Sequence, residues 1–230
     1  MFWHICCAGK MSRWNNYLGL PKHLVEINGE TLIKRMTRLV KLFDINPYIN
    51  IYVSKLDNRY KIKETNLVII KLNNNEHIDK ILPIKTILPY SSKDEPNIML
   101  FGDIYFTKNA IKEIYNISKI STNINFFGRE TGSRFTLCEW GEIWSVSYYH
   151  DHIKKIMDSI IILEKKYKQN EIKRVKHWEL YRLLNEISLK RNNITKNFIK
   201  IDDFTEDFDF PIDYDRWIKQ YELYKQNNNI

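Results

Sequence analysis

Phe2 to Cys7 is a run of bulky, mostly apolar residues that gives way at once to Ala8-Gly9, and no other feature restricts the possible folds of this chain so tightly. A short apolar run closed by a turn signal suits a buried strand. Small residues at its end let backbone approach a ligand, and the residues that follow give that ligand a character. Ser12 adds a hydroxyl and Arg13 a planar, permanently charged fork, while successive N–H groups in such a turn converge on anionic oxygens. Pro21 then stiffens the backbone ahead of Lys22, whose ammonium is a compact charge able to follow a phosphate through reaction. Ala8, Gly9, Lys10, Ser12 and Arg13, with Lys22 beside them, form a candidate phosphate cradle.

Periodicity along the rest of the chain predicts an α/β architecture. Thr31 to Phe43 carries Leu32, Ile33, Met36, Leu39, Val40 and Phe43 at helical spacing, with basic residues elsewhere on its surface. Asn50 to Val53, Leu67 to Leu72, Ile98 to Phe101, Asn123 to Phe127 and Glu142 to Tyr149 read as strands. Helices are expected at His77 to Ile87, Lys108 to Ile117, His152 to Gln169 and Lys176 to Lys190. Alternating strands and helices imply a largely parallel sheet with right-handed crossovers. The Ile98 to Phe101 strand runs into Gly102-Asp103, which delivers a carboxylate at the strand end where ligands sit in open α/β sheets. Arg129, Arg134, Trp140, Glu142 and Trp144 gather around a glycine-interrupted loop, a mixture suited to clamping an anion and stacking on a flat face; Arg129, Trp140 and Glu142 are the acceptor-site candidates. Trp144, Val146 and Tyr148 also alternate as one strand face, which reads equally as core.

Taken together, Cys7-Ala8-Gly9-Lys10-Met11-Ser12-Arg13, Pro21-Lys22-His23-Leu24 and Ile27-Asn28-Gly29-Glu30-Thr31-Leu32-Ile33 resemble the nucleotidyltransferase family with the GT-A-like fold. That family includes sugar-phosphate nucleotidylyltransferases, cytidylyltransferases and the molybdopterin guanylyltransferase type. Its opening pattern is Ala-Ala-Gly-x-Gly-Ser/Thr-Arg, then Pro-Lys-x-Leu and Ile-x-Gly-x-x-Leu-Ile, and Met11 departs from it at the second glycine. The resemblance implies one Rossmann-like, GT-A-type domain over 1–230, with a mostly parallel mixed sheet flanked by helices. Residues 1–106 would form its nucleotide-binding half, and 107–230 its acceptor-binding half and closing metal segment. It also implies magnesium held by Asp103 and by Asp209 of the acidic closing segment, with Asp207 or Asp203 as alternatives. Arg13 would hold the leaving β,γ-phosphates and Lys22 the α-phosphate. The substrates would be a nucleoside triphosphate and a small phosphorylated acceptor, such as a sugar phosphate.

Composition narrows the competing classes. With 230 residues and 43% hydrophobic content, one substantial core is expected. No window has the apolar length to span a bilayer, and Met1 to Cys7 lacks the pattern of a signal peptide, so a cytoplasmic location is expected. Cys6, Cys7 and Cys138 lack Cys-x-x-Cys spacing and read as reduced thiols. His150-Asp151-His152 reads as a helix start in preference to a metal site. A net charge of +8 raises the rival of a basic nucleic-acid-binding module. Against it, the helical lysines are interspersed with Asp158, Glu164, Glu171 and Glu179. A second rival, a glycosyltransferase of the same broad fold, uses a nucleotide sugar and has less need of the Arg13 and Lys22 pair.

Overall fold

The computed structural model describes residues 1–9, 11–70, 82–190 and 193–228. The chain opens with β1 (Phe2–Cys6), and the hairpin of β2 (Glu26–Ile27) and β3 (Glu30–Thr31) turns through Asn28-Gly29 with φ of 53° and 75°. An Asn-Gly pair reaches that region at little cost, so a two-residue connection closes there. α1 (Leu32–Phe43) is capped by the Thr31 hydroxyl, which accepts from the Lys34 amide at 3.4 Å. Next come β4 (Tyr48–Val53), β5 (Asn66–Ile69), α2 (Pro83–Ile87), β6 (Asn97–Phe101), β7 (Ile104–Tyr105) and α3 (Lys108–Ile120). β8 (Asn125–Arg129), β9 (Glu142–Tyr148), α4 (Ile153–Lys168) and α5 (His177–Leu184) follow, and β10 (Phe198–Lys200), β11 (Glu206–Asp207) and α6 (Pro211–Asn228) complete the order.

One seven-stranded sheet runs β10-β8-β9-β6-β1-β4-β5. β9 is antiparallel to both of its neighbours, while the remaining neighbours pair in parallel. β7 and β11 form a separate antiparallel pair that brings the closing segment beside the end of β6. Period-2 alternation sends Trp3, Ile5, Ile98 and Leu100 to one face, where Ile33, Met36 and Val40 of α1, Ile111 of α3 and Trp217 of α6 cover them. Met99, Phe126 and Val146 face the other way, under Ile156 and Leu163 of α4 and Tyr181 of α5.

Several boundaries differ from the sequence reading. β8 continues through Gly128 and Arg129, which therefore belong to the sheet and not to a loop. The helix expected to reach Lys190 stops at Leu184, because Asn185 turns its amide onto the Tyr181 carbonyl at 2.8 Å and Glu186 takes a left-handed φ of 60°. β5 ends at Ile69, while Leu72 and the first residues of the expected 77–87 helix lie outside the described residues.

The largest departure lies between β8 and β9. Phe127 pairs with Ser145 but Gly128 pairs with Ile143, so Trp144 is an extra residue on β9. A bulge of this kind re-aims a side chain. It turns Trp144 toward the face of Trp3 and Ile5 while Val146 and Tyr148 face the opposite way, against the alternation read from the sequence. Gly128 permits the close approach: a Cβ there would lie 2.0 Å from the Glu142 carbonyl oxygen.

Candidate active site

A cleft of about 450 Å³ opens at the C-terminal ends of β1 and β6. Ala8, Gly9, Ser12, Arg13 and Lys22 all line it, as do Asp103, Glu142, Asp207 and Asp209. Lys10 lies outside the described residues. A Cβ added at Gly9 would meet nothing within 4 Å, so the turn presents bare backbone to open space. Met11, the departure from the glycine pattern, lines the cleft and packs partly on the core.

Lys22 is the hub. Pro21, at φ −57°, leads into a single 3-10 turn over Lys22–Leu24 that buries the lysine to 8% exposure. Its ammonium sits between two carboxylates, ion-paired to Asp103 and 3.1 Å from Asp209 Oδ1. Arg13 reaches the other oxygen of Asp209 at 2.7 Å. Residues 13, 22, 103 and 209 therefore meet at one point, although 187 positions separate Lys22 from Asp209. Burial alone would push the Lys22 ammonium down, but Asp103 and Asp209 outweigh it and hold it above the usual lysine value. Asp103 shows the reverse: burial favours its neutral form, and Lys22 nonetheless keeps it below the usual carboxylate range.

Negative charge is in local excess beyond this hub. Asp207 is raised well above an ordinary carboxylate by burial and by the neighbouring Glu142, Asp209 and Glu206. Glu142 is pushed up to about 7, chiefly by burial, with Lys176 opposing and Asp209 adding to the rise. Among the described residues no three His, Cys, Asp or Glu side chains converge as a ready-made metal cage. Asp203 is remote from this chemistry: it takes hydrogen bonds from the Thr107 hydroxyl and from the Thr205 amide, the latter at 2.7 Å, and fixes the turn before β11.

Of the expected acceptor residues, only Glu142 lines the cleft. Arg129 is 5% exposed, and its fork is spent on Glu206 at 2.9 and 3.0 Å and on the Thr131 and Trp140 carbonyls. Trp140 contributes that carbonyl, while its ring is 62% exposed away from the cleft lining. Lys176, His177 and Trp178, which the sequence offered only as the start of a helix, also reach the cleft.

No family model and no curated protein sequence matches the chain. Solved structures do. One assigned as a glucose-1-phosphate thymidylyltransferase from Bacillus anthracis superposes with a TM-score of 0.63 at 12% identity, over 94% of each chain. The CTP:phosphocholine cytidylyltransferase of Streptococcus pneumoniae gives 0.58 at 17% identity, over 94% of this chain and 97% of that one. The inositol-1-phosphate CTP transferase of T. maritima gives 0.60 at 13%, over 96% of each. The chain has the nucleotidyltransferase fold. At these identities the likeness is one of fold, and it extends over nearly the whole chain, both halves of the sheet included. Within the described residues of this nucleotidyltransferase fold no helix is long and apolar enough to cross a membrane.

Three buried imidazoles, two of them lining the cleft, give the fold a predictable acid response. Burial holds His4 and His23 down at about 4 and His177 at about 3, against 6.5 for a free imidazole. Their folded values are depressed, so the unfolded chain binds more protons in that interval. Their contribution to stability is complete above pH 6.5 and is lost as pH falls toward 4, at up to about 1.4 kcal/mol per pH unit per imidazole. Glu142, raised to about 7, and Asp207, also raised, bind more protons in the folded chain over the same range, so they offset part of that loss. Urea midpoints are expected to fall from pH 6 to pH 4.5, less steeply than three imidazoles alone would give, and NMR titration of the histidine ring protons with midpoints near 6.5 would mean that these imidazoles protonate in place.

Proposed function

We propose that the chain is a magnesium-dependent nucleotidyltransferase that moves a nucleoside monophosphate unit from a nucleoside triphosphate to a small phosphorylated acceptor and releases pyrophosphate. The observation that carries this reading is the meeting of Arg13, Lys22, Asp103 and Asp209 beneath a bare glycine turn at the C-terminal ends of parallel strands. Backbone N–H groups of the Ala8-Gly9 turn and the Arg13 fork suit the β- and γ-phosphates, and the Lys22 ammonium suits the α-phosphate. Asp103 and Asp209 offer hard oxygen donors from opposite sides of Lys22, which fits a cation of the magnesium type completed by water and substrate phosphates. When bound, such an ion neutralises charge on the phosphate oxygens.

An acceptor phosphate oxygen attacks the α-phosphorus, the bond from that phosphorus to the bridging oxygen breaks, and the electron pair leaves on pyrophosphate. A phosphate oxygen is already ionised near neutral pH, so the protein's task is positioning and charge stabilisation and not proton removal. Arg13 releases Asp209 to hold the leaving group, and Lys22 exchanges its carboxylate partners for the α-phosphate.

The basic exterior is a poorer basis for function. Lys85 pairs with Glu164 at 2.7 Å and Lys166 with Glu171 at 2.6 Å, as expected of a mixed, solvated face. The deciding assay measures pyrophosphate release over CTP, GTP, UTP and dTTP against phosphorylated sugars, polyols and amino alcohols, with and without magnesium. Release that requires one triphosphate, one acceptor and the metal together supports the reading. Consumption of a nucleotide sugar with release of free nucleoside diphosphate would replace it with glycosyl transfer.

A further inference from the structure

Asp103 follows a glycine, and that joint has to be held. Gly102 lacks the Cβ that narrows backbone conformation, so the carboxylate after it is free to swing unless its surroundings fix it. Two backbone bonds do part of this: Gly102 donates its amide to the Cys6 carbonyl at 2.9 Å, and the Asp103 carbonyl accepts from the Phe208 amide at 3.2 Å. Side chains close the rest. A Cβ added at Gly102 would collide with Cys7 Sγ and lie 3.2 Å from His23 Cδ2, so the thiol and the imidazole occupy the space that the glycine leaves. The opposite edge of the imidazole is also engaged. His23 Nδ1 and the Tyr60 hydroxyl share a hydrogen bond of 3.1 Å between two buried side chains, whose rings meet edge to face at 6.0 Å. Nδ1 and Cδ2 flank the same ring carbon, so the imidazole spans from Tyr60 to Gly102. Both partners come from single 3-10 turns. Lys22–Leu24 sets Lys22 and His23 side by side at the hub, and Asn58–Tyr60, whose Arg59 amide donates to Asp57 at 3.0 Å, brings up Tyr60.

Resting on the nucleotidyl-transfer reading, we infer that His23 and Tyr60 are positioning residues: the Tyr60 hydroxyl fixes the imidazole, and the imidazole holds the Gly102-Asp103 segment so that the Asp103 carboxylate stays beside Lys22. Rotation about the last side-chain bond of a histidine is broad on its own, and the bond to Tyr60 is what selects one setting of the ring. An apolar side chain would fill the same volume without burying a polar group, so the hydrogen bond is the reason for a histidine here. Tyr60 lines a second hollow and not the cleft, so its hydroxyl acts on the reaction only through the imidazole. Burial keeps His23 uncharged, and it therefore steers Asp103 by contact without adding charge to the hub. Geometry of this kind carries a steep rate dependence, a displacement of about 1 Å costing about a hundredfold.

The test uses His23→Leu, His23→Asn, Tyr60→Phe and the double variant Tyr60→Phe/His23→Leu. Asparagine branches at the same carbon as the imidazole, so it meets Tyr60 on one side and Gly102 on the other, while leucine keeps that shape without the bond. His23→Leu and Tyr60→Phe are each expected to lower kcat for pyrophosphate release by about tenfold or more, with the triphosphate KM moved far less. His23→Asn should recover most of the loss. The magnesium concentration for half-maximal rate should rise in the same order, since the displaced group is a metal ligand of the reading. The double variant should lose no more than His23→Leu alone, because Tyr60 works only through the imidazole. A merely structural pair would lower thermal midpoints and leave kcat and the magnesium requirement native wherever the chain is folded, and that result overturns the proposal, as does His23→Asn no better than His23→Leu. Should His23→Leu not fold, Tyr60→Phe, which keeps the buried ring, carries the same comparison. If the native chain releases no pyrophosphate with any triphosphate and acceptor, nucleotidyl transfer fails as the reaction, and crystal structures of the ligand-free variants decide the positioning role. An Asp103 carboxylate shifted by about 1 Å or more in the leucine or phenylalanine variant and restored in His23→Asn supports it, and one that stays in place overturns it.

Discussion

Asp103→Asn is expected to leave a folded chain whose magnesium-dependent pyrophosphate release has dropped by roughly a hundred- to a thousandfold, the range seen when one preorganised charge stabiliser is removed. The argument rests on what asparagine keeps. It matches the shape of aspartate and can still meet Lys22 through its amide oxygen, and Asp209 remains 3.1 Å from the same ammonium. Lys22 therefore keeps a carboxylate partner, and the stability lost should be small beside the rate lost. Lys22→Ala makes the contrasting case. It removes the cation between Asp103 and Asp209, leaving two carboxylates to repel each other in a place already crowded by Asp207 and Glu142. That variant should lose both rate and thermal midpoint, and magnesium should restore the midpoint but not the rate. Paired melting curves and rates for the two variants check this. An Asp103→Asn chain with native turnover would remove that carboxylate from the reaction, and a Lys22→Ala midpoint indifferent to magnesium would remove the cation site between the two acids.

Arg13, Lys22 and Asp103 were legible in the sequence because each follows a local signal, whereas Asp209 came from the resemblance. An apolar run breaking into Ala8-Gly9, a proline before Lys22, and a second apolar run ending in Gly102-Asp103 mark strand ends without any knowledge of their neighbours. The acidic closing segment was harder, since Asp203, Asp207 and Asp209 share one local character. Pairing of β11 with β7 separates them, placing Asp207 and Asp209 at the cleft while Asp203 caps the turn with Thr107. Trp144 was read as part of a strand face because alternation assumes an unbroken ladder, and a bulge opposite Gly128 is a property of two strands together. Lys176 and His177 escaped for a related reason. Apolar spacing reports which side of a helix is buried, but it carries nothing about what the first turn of that helix faces.

Arg129 shows how the same residue type can serve structure in place of substrate, and Arg129→Met is expected to cost about 3–5 kcal/mol of stability. The guanidinium and Glu206 form a two-pronged pair whose side chains are 5% and 0% exposed, and the Thr136 hydroxyl donates to the same carboxylate. Removing the arginine strands a buried charge and also frees the Trp140 and Thr131 carbonyls that the fork holds. The double variant Arg129→Met/Glu206→Gln should recover a substantial part of the loss, because glutamine is uncharged and still accepts from Thr136. Urea unfolding of both single variants and the double closes the cycle, and strictly additive losses would mean the two side chains do not interact. The effect should also reach the chemistry. Glu206 and Asp207 together form β11, and Asp209 lies two residues beyond it, so a loosened Glu206 displaces the carboxylate that Arg13 and Lys22 both engage. A fall in kcat that persists under conditions where Arg129→Met is fully folded, and that the double variant partly reverses, separates this positioning role from plain loss of stability.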